Sequence, residues 1–451
     1  MSGIGQPGAK PGVLIRSVTG AALAGLMFGF DTAVVAGVTG DLRGVYHLSP
    51  AGLGITVSAA LWGTLLGALL AGKPGDRYGS RDSLRLMAAL YLICGLGCAL
   101  AWNWPSFLIF RFIGGLGIGG SSVLAPVYIS EIAPAKRRGA LVGLFQFNIV
   151  LGILVAYLSN YLVGLAHLGA LEWRWKLGVT VAPAAVFMAV LYVIPNSPRW
   201  LAGKGRVDEA RTVLTDIAGA DAEPQLAAIL AGLEAESQHR DARLSWREHK
   251  RPILLAVSLA MFNQLAGINA ILYYLNDIFA AAGFSKVSSD QQAVAIGATN
   301  LVFTLIAMSV IDRLGRRTLL LVGSVGMAIC LAGAAAVLWG YGPQSGLLWV
   351  LVAFIAFFAF SQGAVIWVYI SEIFPNRVRA RGQSLGSATH WIMNAVISGV
   401  FPLVAAHSKG APFAVFAGVM VVQFFVVLLA YPETKGVSLE AMRARIVDRH
   451  A

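Results

Sequence analysis

Twelve separate stretches of this chain are each apolar for about the length a helix needs to cross a bilayer's hydrocarbon core, which is about 20 residues. They fall near 14–38, 52–72, 83–101, 106–128, 140–164, 176–195, 253–281, 291–311, 318–340, 346–370, 382–406 and 411–431. Nothing else in the sequence constrains the fold as strongly. In lipid every backbone N–H and C=O must be paired internally, so twelve apolar runs mean twelve helices. Composition agrees: 57% of the 451 residues are apolar and 12% charged, about half the charged share of soluble domains. A soluble enzyme, a secreted disulfide scaffold and a disordered regulator are thereby excluded. The three cysteines are too few for a disulfide framework, and Cys94 and Cys98 lie one turn apart inside an apolar run, where packing is the ordinary use. The first run follows Lys10 and Arg16 and is long enough to span, so no cleavable signal peptide is expected.

The net charge of +12 would suggest nucleic acid in a soluble protein. Here the basic residues cluster in alternate connections: Lys73, Arg77, Arg81 and Arg85 after span 2; Lys136, Arg137 and Arg138 after span 4; Arg313, Arg316 and Arg317 after span 8; Arg377, Arg379 and Arg381 after span 10. The intervening Trp102–Pro105 and Gly342–Gly346 links carry none. Lys and Arg are retained on the cytoplasmic side, so both termini are expected there. Residues 199–251 differ: they hold nine of the 22 acids, with Val207, Ala210, Val213, Leu214 and Ile217 at helical spacing. That pattern reads as a helical cytoplasmic insert. The expected domains are a six-helix bundle over 1–198, the linker 199–251, a second bundle over 252–431 and a cytoplasmic tail 432–451.

The two halves repeat. Val127-Tyr128-Ile129-Ser130-Glu131-Ile132-x-Pro134 returns as Val368-Tyr369-Ile370-Ser371-Glu372-Ile373-x-Pro375, 241 residues later (368 − 127). Arg138 and Arg379 keep the same offset, and Asp76-Arg77-x-Gly79-x-Arg81 returns as Asp312-Arg313-x-Gly315-x-Arg317 at an offset of 236 (312 − 76). Gly29-x-Asp31 matches Gly267-x-Asn269, and Pro195-x-x-x-Arg199 matches Pro432-x-x-x-Gly436. Parallel six-span halves imply a transporter whose substrate site lies at the repeat interface near the midplane. The run Gly114–Gly120 lies within span 4 and reads as a small-xxx-small packing face through Gly115 and Gly119, not as a dinucleotide loop. No nucleophile–base pair, metal cluster or phosphate loop stands out, so neither an enzyme nor a cofactor is expected.

These motifs resemble the sugar porter family of the major facilitator superfamily, from span 1 to the tail. The resemblance is carried by Phe28-Gly29-Phe30-Asp31-Thr32, Gly75–Gly79, Arg111–Gly115, Glu131–Gly139, Gln146-Phe147, Pro195–Arg199, Asn263-Gln264-x-x-Gly267-Ile268-Asn269, Asn300, Trp367–Arg379 and Pro432–Gly436. It implies an all-α membrane protein of two parallel-repeat bundles that moves a monosaccharide by alternating access. Superfamily members are the standard example of such parallel repeats. The partners implied are a sugar, a proton and the lipid bilayer, with no nucleic acid. A monomer in a bacterial inner membrane is expected.

Sugar hydroxyls both donate and accept, which suits neutral amides, while aromatic faces cover C–H patches. By the resemblance, Gln146, Gln264, Asn269 and Asn300 match sugar-binding positions, and Phe28, Tyr273, Trp367 and Trp391 match the aromatic lining. Asn263, His390 and Gln362 depart from the usual residues at candidate pocket positions. For the driving force, Asp31 is the acid well inside the first-half spans, and intramembrane ionisable groups are functional by default. Asp31 and Arg111 both lie roughly 10 Å deep at a rise of 1.5 Å per residue, so they can pair. By the resemblance an Asp at position 31 marks proton symporters. The alternatives are a uniporter without proton coupling and an inositol or polyol porter. Arg81, Glu131, Arg138, Asp312, Arg316, Glu372 and Arg379, at inner span ends, match a cytoplasmic gate of salt bridges. Ser80 and Asn196 replace an Arg and a Glu of that set, so its first-half side should be weaker.

Overall fold

The computed structural model describes residues 10–134, 137–238, 244–375 and 378–435. Lys136, Asp241, Arg377 and Gly436, with the tail beyond 435, lie outside the described residues, as does the side chain of Asp312. Twelve helices are long and apolar enough to cross a membrane: Gly12–Gly37, Pro50–Leu70, Ser80–Leu100, Trp104–Ile132, Arg138–Leu165, Gly169–Val193, Trp246–Tyr273, Lys286–Ile311, Arg316–Leu338, Gly346–Ile373, Arg379–His407 and Ala411–Ala430. These are spans 1 to 12. Between spans 6 and 7 the insert is helical, as Pro198–Gly203, Val207–Ala218 and Ala222–Gln238. Its apolar faces close on a small core of Leu201, Ala202, Ala210, Leu214, Ala222 and Leu226.

Compactness divides the chain differently from the repeat. One unit comprises Met1–Asp31, Gly63–Gly152 and Leu177–Asp241; the other comprises Thr32–Trp62, Ile153–Lys176 and Ala242–Ala451. In the first unit, Met27, Tyr91, Ile118, Tyr128 and Phe187 belong to one buried cluster. In the second, Leu259, Leu320, Tyr369, Ile370 and Val427 belong to another.

Glycines set the helix spacing inside the first unit. A Cβ on Gly63 would strike the Phe112 carbonyl, one on Gly67 the Leu116 carbonyl, and one on Gly119 the Thr64 carbonyl. Spans 2 and 4 thus approach backbone to backbone, as the small-residue spacing implies. Because the obstacle is backbone, it cannot rotate away, and overpacking of this kind costs about 1–3 kcal/mol or more. Gly119→Val is expected to lower the melting temperature of the purified protein by several degrees, read by intrinsic fluorescence. An unchanged midpoint would show that the helices can part freely.

The repeat is visible in local geometry. Gly79 and Gly315 begin spans 3 and 9 with φ/ψ of 87°/155° and 89°/152°. Positive φ is a conformation glycine adopts without steric cost, which accounts for glycine at the fourth place of both Asp-Arg-x-Gly motifs. Tyr128 donates to the Pro195 carbonyl at 2.8 Å, and its counterpart Tyr369 donates to the Pro432 carbonyl at 3.2 Å.

Among the described residues, spans 6, 7 and 10 contain breaks within the apolar run or at its start. Span 7 is helical over Trp246–Leu265, Ile268–Tyr273 and Leu275–Ala281, with left-handed Gly267 (φ 82°) at the first break. Span 10 contains a wider turn at Ala359–Gly363. Span 6 begins earlier than the apolar run, with a short helix Glu172–Gly178 ahead of Val181–Val193.

Candidate functional site

In the first unit the decisive contact is an ion pair. Arg111 Nη1 donates to Asp31 Oδ1 at 2.8 Å, with both side chains under 5% exposed. The sequence estimate of equal depth is thus matched by direct contact. Only one carboxylate oxygen is used: Asp31 Oδ2 and Arg111 Nε are buried without a hydrogen-bond partner among the described residues. The pair is packed closely, since a Cβ on Gly114 would meet Cys94 and lie 4.0 Å from Asp31 Oδ1. Phe28, one turn before Asp31, and Gln146 in span 5 are both half-buried in the same unit.

The second unit gathers the amides. Gln264 Nε2 donates to Asn263 Oδ1 at 2.9 Å and lies 3.2 Å from both ring nitrogens of His390. Asn269 Nδ2 donates to Gln264 Oε1 at 2.9 Å. Gln264 is therefore the centre of a relay spanning the break in span 7 and reaching span 11. The αL turn at Gly267 puts Asn269 back on the side of Gln264. A Cβ there would collide with the Phe416 ring. Trp367 and Trp391 flank His390 with ring centroids 5.2 and 5.1 Å away. Trp391 is buried whereas Trp367 is 38% exposed. Asn300 in span 8 is buried. Tyr273 is reached by Asn394, whose Nδ2 donates to its hydroxyl at 3.3 Å.

Gln362 belongs to a different amide pair. Its Nε2 donates to Gln423 Oε1 at 2.7 Å, and both residues are fully buried. The same Nε2 lies 3.6 Å from the Met420 sulfur. Helix–helix adhesion between spans 10 and 12 accounts for that contact.

The charged span ends are also built by repeat. Arg81 donates to the Ile194 carbonyl at 3.2 Å, and its counterpart Arg317 donates to the Leu428 carbonyl at 2.6 Å. Each closes the C-terminal end of a span whose last carbonyls lack helical partners. Arg316 Nη2 meets Glu372 at 2.9 Å, and Glu372 also accepts from Thr434 at 2.6 Å. Glu433 accepts from the backbone N–H of Arg316 and Arg317 at 2.9 and 3.0 Å, a carboxylate at a helix N-terminus. In the first half Ser80 is buried and Arg81 pairs with its neighbour Asp82 at 3.0 Å. Asn196, matching Glu433, has its Oδ1 buried without a partner among the described residues. The two sequence departures therefore remove a carboxylate cap and a guanidinium from the first half. Glu131 is half-buried at the end of span 4, Arg138 is exposed at the start of span 5, and Arg379 opens span 11.

The residues 17–445 match the family described as Sugar (and other) transporter. The chain belongs to that family. It is a transporter with twelve membrane spans, and not an enzyme. It is 34% identical to the D-xylose-proton symporter of Escherichia coli (strain K12), over 94% of each chain. It is 36% identical to the arabinose-proton symporter of Bacillus subtilis (strain 168), over 95% of this chain and 94% of that one. Its structure resembles that of the E. coli xylose transporter in an inward-open conformation, with a TM-score of 0.85 at 32% identity, covering 96% of this chain and all of the other.

Sequence reasoning passed over several polar residues of this transporter. Asn394 stands one turn from His390 and was detectable by that spacing alone. Tyr157, which donates to the Leu272 carbonyl at 2.9 Å, and Asn160, which donates to the Val34 carbonyl at 3.1 Å, carry no such signal. Lys176 and Asp290, a buried pair at 2.8 Å, fell at the edges of the apolar runs.

Proposed function

We propose that this protein imports a monosaccharide, a hexose or pentose such as glucose or xylose, together with a proton by alternating access. The observation that carries the reading is the buried Asp31–Arg111 pair, with one carboxylate oxygen unpartnered among the described residues. A change in its separation or hydration between the two orientations changes its proton affinity. The relatives named as D-xylose-proton and arabinose-proton symporters support the same assignment. Asp31 and Arg111 are the coupling residues. Gln146, Asn263, Gln264, Asn269, Asn300, Phe28, Tyr273, Trp367, Gln362, His390 and Trp391 are the sugar site. The protein works as a monomer in a bacterial inner membrane, with both termini and the 199–251 insert cytoplasmic. The bundles are 1–198 and 252–431, and the charged inner ends of their spans form the cytoplasmic gate.

Purified protein in proteoliposomes is expected to accumulate labelled glucose, xylose, galactose or fructose above equilibrium only when an inward proton gradient is imposed. Equilibration without accumulation would make it a uniporter. No uptake of any of the four would turn attention to inositol and other polyols.

A further inference from the structure

A second buried ion pair lies at the opposite end of the spans from the termini, and the transport reading gives it no task. Lys176 Nζ is 2.8 Å from Asp290 Oδ2, with the side chains 0% and 1% exposed. It also meets Glu172 Oε1 at 3.1 Å and donates to the Gly37 carbonyl at 3.2 Å. Two of the three ammonium protons are donated, to Asp290 and to the Gly37 carbonyl, and Glu172 adds its charge at ion-pair distance. Asp290 is held from its other oxygen by Asn276 Nδ2 at 2.5 Å. Lys286 extends the cluster, meeting Glu172 at 3.0 Å and Asp41 at 2.9 Å. Gly164 gives the pair room, since a Cβ there would lie 3.1 Å from Asp290 Oδ2 and 3.8 Å from Nζ.

The connectivity of this cluster is what matters. Gly37, Asp41, Gly164, Glu172 and Lys176 come from the first sequence repeat; Asn276, Lys286 and Asp290 come from the second. All belong to the same compact unit. Alternating access requires the far ends of the two repeats to part when the site opens outward. We propose that Lys176 and Asp290 are positioning residues of the transport cycle, a dry ionic latch that holds the outer ends together and sets the balance between the two orientations. The inference rests on the alternating-access reading. A buried pair suits this use because its strength is conditional. Removing one partner leaves a buried charge uncompensated, while replacing both by apolar side chains is often neutral. The more exposed Lys286–Asp41 contact, 47% and 27% exposed, is solvated in either state and contributes little by itself.

The test uses the full chain in lipid nanodiscs with spin labels at Gly44→Cys and Tyr341→Cys. A Cβ at Gly44 meets nothing within 4 Å, Tyr341 is 84% exposed, and Cys94, Cys98 and Cys330 are buried. Lys176→Met is expected to raise the ratio of long to short label distances at least tenfold, and Asp290→Asn to move it the same way. Lys176→Met/Asp290→Leu should return it to within about threefold of the parent. Equal distance distributions in parent and both single variants, each monodisperse, would overturn the latch. So would a double variant as open as the singles. Uptake assays on the same samples keep the two readings separate. A latch response in a protein that moves no sugar would remove the sugar assignment alone. Normal gradient-driven uptake with unmoved distances would remove the latch alone.

Discussion

Asp31→Asn is expected to abolish accumulation of sugar while leaving exchange across the membrane intact. The amide keeps the size of the carboxylate and its ability to accept from Arg111 Nη1, 2.8 Å away in the parent. It cannot gain or lose a proton. A transporter coupled one proton to one sugar draws about 2.3 kcal/mol from each 100 mV of membrane potential, which supports roughly 50-fold accumulation. In the variant that ratio should collapse to equilibrium under the same gradient. Counterflow, which needs only reorientation with sugar bound, should continue within a few-fold of the parent rate. A variant that still concentrates sugar would place the proton elsewhere. Loss of counterflow as well would mean that the pair holds the fold together and does not couple transport.

Gln264→Ala should produce the largest loss of sugar affinity of any single amide removal. Gln264 is the one side chain bonded at once to Asn263, Asn269 and His390. Truncating it leaves those groups and the sugar hydroxyls short of partners, at about 1–3 kcal/mol, or about 5- to 150-fold in Kd. Asn269→Ala removes an end of the relay and should fall in the lower part of that range. Both are read by isothermal titration of the purified protein with the sugar that supports uptake. Unchanged affinity in both variants would refute this site.

The spans were legible in the sequence because a bilayer tolerates so few alternatives. Hydropathy placed all twelve, most within a few residues, the repeat singled out Asp31 and Asn269, and the family motifs pointed to Arg111, Asn263 and Gln264. Interruptions were not legible. The motifs marked Gly267 without showing that the helix breaks there; its left-handed backbone and the Phe416 ring beside it, both closed to a side chain, appear only in the structure. Span 6 shows a different failure. Read as an apolar run from residue 176, it left Glu172 outside and Lys176 at its margin. The helix in fact starts at Gly169, because Lys176 and Glu172 find ionic partners that offset their burial. Hydropathy weighs each residue by its own transfer cost and is blind to a partner more than a hundred positions away.

The matched pair of positions Asp31 and Asn269 has a practical consequence. The two repeats carry the same Gly-x-acid-or-amide element at equivalent places in spans 1 and 7, an acid in one copy and a neutral amide in the other. On the proposed function, the duplicated scaffold divides its labour, with the energy source in one copy and most of the cargo recognition in the other. A protein engineer working from that proposal would retune cargo preference in spans 7, 10 and 11 without touching Asp31, and would convert pump to passive carrier in span 1 without redesigning what is carried.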